Sequence, residues 1–132
     1  MPYLSFSLVL ILATALGADV SHNYKVFYCV HHKAECVSSD NPKAMSREDA
    51  LVIMKAVVAE KDAFLGFVDS KDVTLQFYTQ EPHQIWVEVP VPARKGSFGA
   101  LLTDAKAFAV IRNLSGDLEG EKKALGLEFR AW

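Results

Sequence analysis

The sequence predicts an α+β domain: a single, mostly antiparallel sheet made of an N-terminal hairpin, a central three-strand meander and a C-terminal strand, with two helices on one face. Three observations predict it. Val73, Leu75 and Phe77 alternate with Thr74, Gln76 and Tyr78, and beyond Glu81-Pro82-His83 the residues Ile85, Val87, Val89 and Val91 alternate with Trp86, Glu88 and Pro90. That is a hairpin with one apolar face. Arg47 to Asp62 and the run after Thr103 instead carry apolar residues at helical spacing. The order hairpin, helix, meander, helix, strand then gives the layering.

Composition narrows the function classes. The chain has 132 residues, 51% hydrophobic and 23% charged, which suits one globular domain and excludes disorder. Fourteen basic against sixteen acidic residues leave a net charge of -2 without a long block of either sign. Phosphate binding needs a concentrated basic patch, so nucleic acid is not an expected partner. The patterns G-x-x-x-x-G-K-[ST], G-x-S-x-G and H-E-x-x-H are all missing, and no cofactor is implied.

Residues 1–18 read as a signal peptide and 19–132 as the single domain. Leu4 to Leu16 is uncharged, and Ala13-Thr14-Ala15 or Ala15-Leu16-Gly17 offers the small residues of a cleavage site, although Met1-Pro2-Tyr3 carries no Lys or Arg. The run is shorter than the roughly 20 apolar residues that span a bilayer. The expected location is secreted or periplasmic if this segment is a signal and cytoplasmic otherwise, with membrane contact only through the segment itself.

Tyr24 to Val30 alternates, and a short run from Ala34 to Ser38 follows His31-His32-Lys33, so a hairpin is expected. A two-residue or a four-residue loop sets Cys29 opposite Cys36, within disulfide reach. Cys29, His31, His32 and Cys36 are also zinc-ligand types, but they lack the paired C-x2-C knuckles of structural sites, and no metal site is assigned. Asp40-Asn41-Pro42 is turn chemistry that leads to Ser46, an N-cap with Asp49 three residues on. The helix from Arg47 to Asp62 carries Ala50, Leu51, Met54, Val57 and Val58 along its stripe.

Phe64 to Val68 is the next strand. With Asp69-Ser70-Lys71-Asp72 as a four-residue loop, Val68 pairs with Val73, Gly66 with Leu75 and Phe64 with Phe77. In the central hairpin an odd loop centred on Pro82 sets Phe77 against Val87 and Leu75 against Val89, with Tyr78 facing Trp86 on the other side. Leu65, Phe67, Tyr78 and Trp86 then project together beside Gln76 and Glu88. Ala93 to Gly99 reads as a flexible basic loop, Thr103 as the cap of a helix with Ala107, Phe108, Ile111 and Leu114 on one face, and Asp117 to Lys123 as a charged loop. Asn113-Leu114-Ser115 matches the glycosylation acceptor pattern. Leu125, Leu127, Phe129 and Ala131 form the alternation of a last strand ending at Trp132.

Convergent catalytic groups are not evident: Glu81 and His83 fall in a turn, and Glu88 lies well down a strand. The expected function is therefore a small non-catalytic protein-binding domain that engages another protein, or a second copy of itself, through Phe67, Tyr78, Trp86, Glu88 and Trp132. The competing outcomes are an aromatic face covered by the N-terminal hairpin or a loop, and a small secreted enzyme or metal-binding protein built on Cys29, His31, His32 and Cys36. The run Tyr24 to Ser39, the Asp40-Asn41-Pro42 turn, the capped helix, the meander with Ile85-Trp86-Val87-Glu88 and the second helix resemble, over residues 23–114, the layout of small immunity proteins of bacterial polymorphic-toxin systems. That resemblance implies a non-enzymatic inhibitor that blocks a cognate toxin through one face of its sheet.

Overall fold

Antiparallel pairing runs through the whole described sheet. The computed structural model describes residues 24–132, so the apolar segment and its cleavage sites lie outside the described residues. One sheet holds β1 (Lys25–Val30), β2 (Glu35–Val37), β3 (Lys43–Ala44), β4 (Phe64–Val68), β5 (Thr74–Glu81), β6 (Gln84–Val91), β7 (Gly96–Leu102) and β8 (Glu128–Ala131). Their spatial order is β2-β1-β4-β5-β6-β7-β8, with the short β3 also paired to β1. Among the described residues three α-helices complete the α+β fold: α1 (Arg47–Val57), α2 (Asp104–Arg112) and α3 (Leu118–Ala124).

The apolar alternation finds its partner in the helices. Ala50, Met54 and Val57 of α1, Ala107 and Ile111 of α2 and Leu118 of α3 share one buried cluster with Val26, Leu65, Phe67, Leu75, Phe77, Ile85, Val87 and Val89. Each fully buried side chain of this size contributes roughly 1.5 to 3 kcal/mol. Ser46 and Thr103 cap α1 and α2 as expected, their hydroxyls accepting from the Asp49 and Lys106 amides at 3.1 and 3.3 Å.

The central hairpin keeps the predicted register. Phe77 pairs with Val87, Tyr78 with Trp86 and Gln76 with Glu88. The odd parity arises from two features: Pro82 and His83, the latter at φ 67°, make a tight turn, and Gln80 is bulged between the Thr79–Ile85 and Glu81–Gln84 pairs. A bulge adds one unpaired residue to an even turn, which keeps the aliphatics on one side.

The first hairpin of the meander departs from the prediction. Val68 pairs with Thr74, Phe67 with Leu75 and Leu65 with Phe77. Between paired Val68 and Thr74 lies the odd span Asp69 to Val73, where an even loop was expected, so Leu65 and Phe67 turn into the core at 0% and 2% exposure. The cause is the Asp69 side chain. Its Oδ1 accepts from the amides of Lys71 at 2.9 Å and Val73 at 3.0 Å, while the Asp69 amide donates to the Val73 carbonyl at 3.0 Å. Asp72 closes the turn at φ 62°, a conformation that Asp tolerates.

Other boundaries move for tertiary reasons. Helix α1 stops at Val57 rather than continuing to Asp62, because the β5–β6 hairpin takes its last carbonyls. Thr79 Oγ1 donates to the Val57 carbonyl at 2.6 Å and the His83 amide donates to the Val58 carbonyl at 2.7 Å. The predicted loop around Gly96 and Gly99 is β7, whose glycines lie beneath rings: a Cβ at Gly99 would overlap Trp86, and one at Gly96 would overlap Phe129. The predicted charged loop contains α3, with Leu118 fully buried. Asp69 holds its first turn too, since Oδ2 accepts from the Leu118 amide at 3.1 Å. Strand β8 begins only at Glu128 because Gly126, at φ 64°, ends the turn after α3.

Asp69 thus serves three amides from a site only 6% exposed. Replacing it with Ala is expected to cost about 3 kcal/mol, the scale of losing charge-assisted bonds and leaving amides unpaired, with a smaller loss for Asp69→Asn. Urea unfolding at constant m checks this, and equal stability for all three proteins would refute it.

Candidate functional site

On the side of the sheet turned away from the buried cluster, side chains line up in rows across the strands. One row runs Cys29, Phe64, Tyr78, Trp86, Leu101, and the next runs Phe27, Gly66, Gln76, Glu88, Gly99, Glu128. The first is rich in rings. The second alternates glycine with polar groups, and each of its inner glycines accepts a ring laid flat from a neighbour: Phe27 over Gly66 and Trp86 over Gly99. Phe27 is thereby only 4% exposed although it is on the open side.

Rings lying outward on either flank leave a trough over β5 and β6. Phe27, Ser39, Phe64, Gln76, Tyr78, Trp86 and Glu88 line a pocket of ≈ 460 Å³. At its base Gln76 Nε2 donates to Glu88 Oε1 at 2.7 Å, which fixes the carboxylate. At its rim Tyr78 Oη donates to Asp62 Oδ1 in a short bond, and that bond, followed by desolvation, raises the phenol above its ordinary value. Arg130 stacks on Trp86 with Cζ 4.9 Å from the ring centroid.

Of the predicted binding residues, Tyr78, Trp86 and Glu88 meet in this pocket. Phe67 does not: the shifted β4–β5 register places it in the core, and Phe64 takes its place on the open side. Trp132 stands apart beyond β8, 72% exposed, its indole N–H donating to Ser97 Oγ at 3.0 Å. Sequence reasoning missed Phe27, Phe64 and Ser39. The alternation places Phe27 on the side of Cys29, yet only knowledge of its neighbour Gly66 shows where the ring goes.

Cys29 and Cys36 face each other across β1 and β2 with their sulfurs at bonding distance, as the hairpin predicts, so neither supplies a free thiolate. His31 and His32 are occupied in bracing the fold. The Glu60 carboxylate accepts from the amides of His31 at 2.7 Å and His32 at 2.9 Å and contacts His32 Nδ1, and His31 Nε2 lies 3.1 Å from the Asp62 carbonyl oxygen. Among the described residues no three or more His, Cys, Asp or Glu side chains are grouped to hold a metal ion. The imagined base set does not converge either. Glu81 pairs with Lys61 at 3.2 Å, His83 with Asp104 at 2.6 Å, and Glu88 with Gln76.

Two outcomes follow for this region. Gly99→Ala should tip Trp86 out of its seat, costing about 1 to 3 kcal/mol and shifting its fluorescence in a Trp132→Phe background; unchanged emission would show that the ring does not depend on Gly99. The His32 amide, foremost, together with the His32 side chain and the His31 amide, holds the Glu60 carboxyl down at about 2. Because the folded value is depressed, the anchoring is complete above the ordinary carboxylate range and is lost as pH falls toward 2. Carboxyl NMR should find that midpoint, and one near 4.5 would mean that the bonds to His31 and His32 are not made in solution. Comparison leaves function to this geometry, since no protein-family model matches the chain and no curated protein or solved structure matches it.

Proposed function

We propose that the protein is a small non-catalytic binding domain that engages another protein through the open side of its sheet. The observation that carries this reading is the continuous run Phe64, Tyr78, Trp86, Leu101, in which Tyr78 is 37% and Leu101 56% exposed. Helices α1, α2 and α3 pack against the opposite side, so the rings are not needed for the core. Aromatic side chains in a partly open depression are the residue type and setting that dominate protein-binding hot spots. An immunity-type inhibitor is the form of this activity that the resemblance in layout implies. The Cys29–Cys36 pair supports placing the protein in an oxidising compartment, consistent with export.

A photo-crosslinking amino acid at Leu101, compared with one at Val52, which is 66% exposed on α1, tests the reading in the cell that encodes the protein. Discrete adducts to one other protein from position 101 only are the expected result. A second copy of the chain as the adduct would replace a foreign partner with self-association. Adducts from both positions alike, or from neither, would remove the support for this face.

A further inference from the structure

We infer that the pocket receives a cationic side chain, a Lys or Arg presented by an otherwise apolar segment of the partner protein. The inference rests on the binding reading above and names the chemistry of its anchor. Its base is a carboxylate and its walls are rings. Glu88 is half-buried, and the only hydrogen bond of its carboxylate among the described residues is the one from the neutral Gln76 amide to Oε1. No Lys, Arg or His of the described chain forms an ion pair with it. A second carboxylate, Asp62, stands at the rim through Tyr78.

The chain shows elsewhere what it does with rings beside solvent. Arg94 lies 4.1 Å from the Phe129 centroid, Lys122 lies 4.6 Å from that of Phe98, and Arg112 lies 5.9 Å from that of Phe108. In the pocket, Phe27, Phe64 and Tyr78 carry no such cation among the described residues, and Trp86 has Arg130 over it from β8. A cation placed beside Phe64 and Tyr78 gains from those rings and from the Glu88 carboxylate together, in a site where rings exclude part of the water. A neutral aliphatic chain of the same length would leave the carboxylate to be desolvated without compensation.

A protein segment fits better than a small cation because, among the described residues, the pocket is open on the side away from the sheet. Beyond Trp86 the surface continues onto exposed Leu101, which is paired with it across β6 and β7. Small-ligand sites enclose most of their ligand. Here only a longer chain, with apolar residues beside its basic one, covers both the pocket and Leu101.

The test uses the full chain, isotope-labelled, titrated by NMR with short apolar peptides that carry one central lysine, arginine or norleucine, and with tetramethylammonium alone. Shifts are expected at the Trp86 indole and around Phe64 and Tyr78 for the basic peptides, with affinity at least about tenfold weaker for norleucine. Glu88→Gln should weaken the lysine peptide by a similar factor and leave the spectrum folded, while the norleucine peptide, which no longer desolvates a carboxylate, binds no more weakly than before. Equal binding of norleucine and lysine overturns the cation while the binding face survives. Tetramethylammonium binding as tightly as the lysine peptide overturns the peptide anchor in favour of a small quaternary ligand. Silence from every probe, with crosslinks still forming at position 101, also defeats the cation and spares the binding face. Silence without crosslinks defeats both.

Discussion

The Asp69 carboxylate decides which way the first half of the sheet faces. By accepting from the Lys71 and Val73 amides it makes the β4–β5 turn one residue longer than an even hairpin, and by accepting from Leu118 it ties that turn to α3. Side chains alternate along a strand, so one residue of loop reverses every position on β4. With the observed turn, Leu65 and Phe67 meet Leu75 and Phe77 beneath the helices, while Phe64 and Gly66 go outward. An even turn would have buried Phe64 and Gly66 and left a Leu and a Phe in water. The pocket depends on the same choice, because its wall at Phe64 and the seat of Phe27 on Gly66 exist only in this register.

Glycines within strands serve the open side in a way that turn chemistry does not describe. A strand glycine forgoes packing and carries an entropic cost, and its use in a central strand signals that another group occupies the space of its side chain. Phe27 and Trp86 occupy that space at Gly66 and Gly99. Laid flat, the rings cover backbone and sit low in the same row on either side of Gln76 and Glu88. The depression is therefore built by where the rings lean, and its polar floor is the cross-strand Gln76–Glu88 pair.

Period-2 alternation made the central hairpin legible, down to the Tyr78–Trp86 and Phe77–Val87 pairs, and the Cys29–Cys36 opposition followed from hairpin arithmetic alone. Ser46 and Thr103 announced their helices because capping is a local interaction. What stayed hidden depended on residues far away in the chain. Nothing near Val57 says that Thr79 and His83 will claim its helix end, and nothing in Gly96-Ser97-Phe98-Gly99 distinguishes a strand under two rings from a flexible loop. Helix α3 shows so few apolar residues that its burial is read only through Leu118 and through Glu121, which is 9% exposed and accepts from Ser115 Oγ at 3.2 Å. Of the candidate site, Tyr78, Trp86 and Glu88 were readable from one hairpin. Phe27 and Phe64 required the register of a second.

The polar corner beside the pocket fixes one of its rims. His31 Nδ1 lies 3.6 Å from Cys29 Sγ and its Nε2 lies by the Asp62 carbonyl, while His32 rests on Glu60 through Nδ1. What they achieve is mechanical. Glu60 and His31 join the end of β1 to the α1–β4 connection, and that connection places Asp62 under the Tyr78 hydroxyl. The histidines, the cysteine pair and the acidic groups thus hold one rim of the trough in place, and the exposed chemistry left over is rings around a carboxylate.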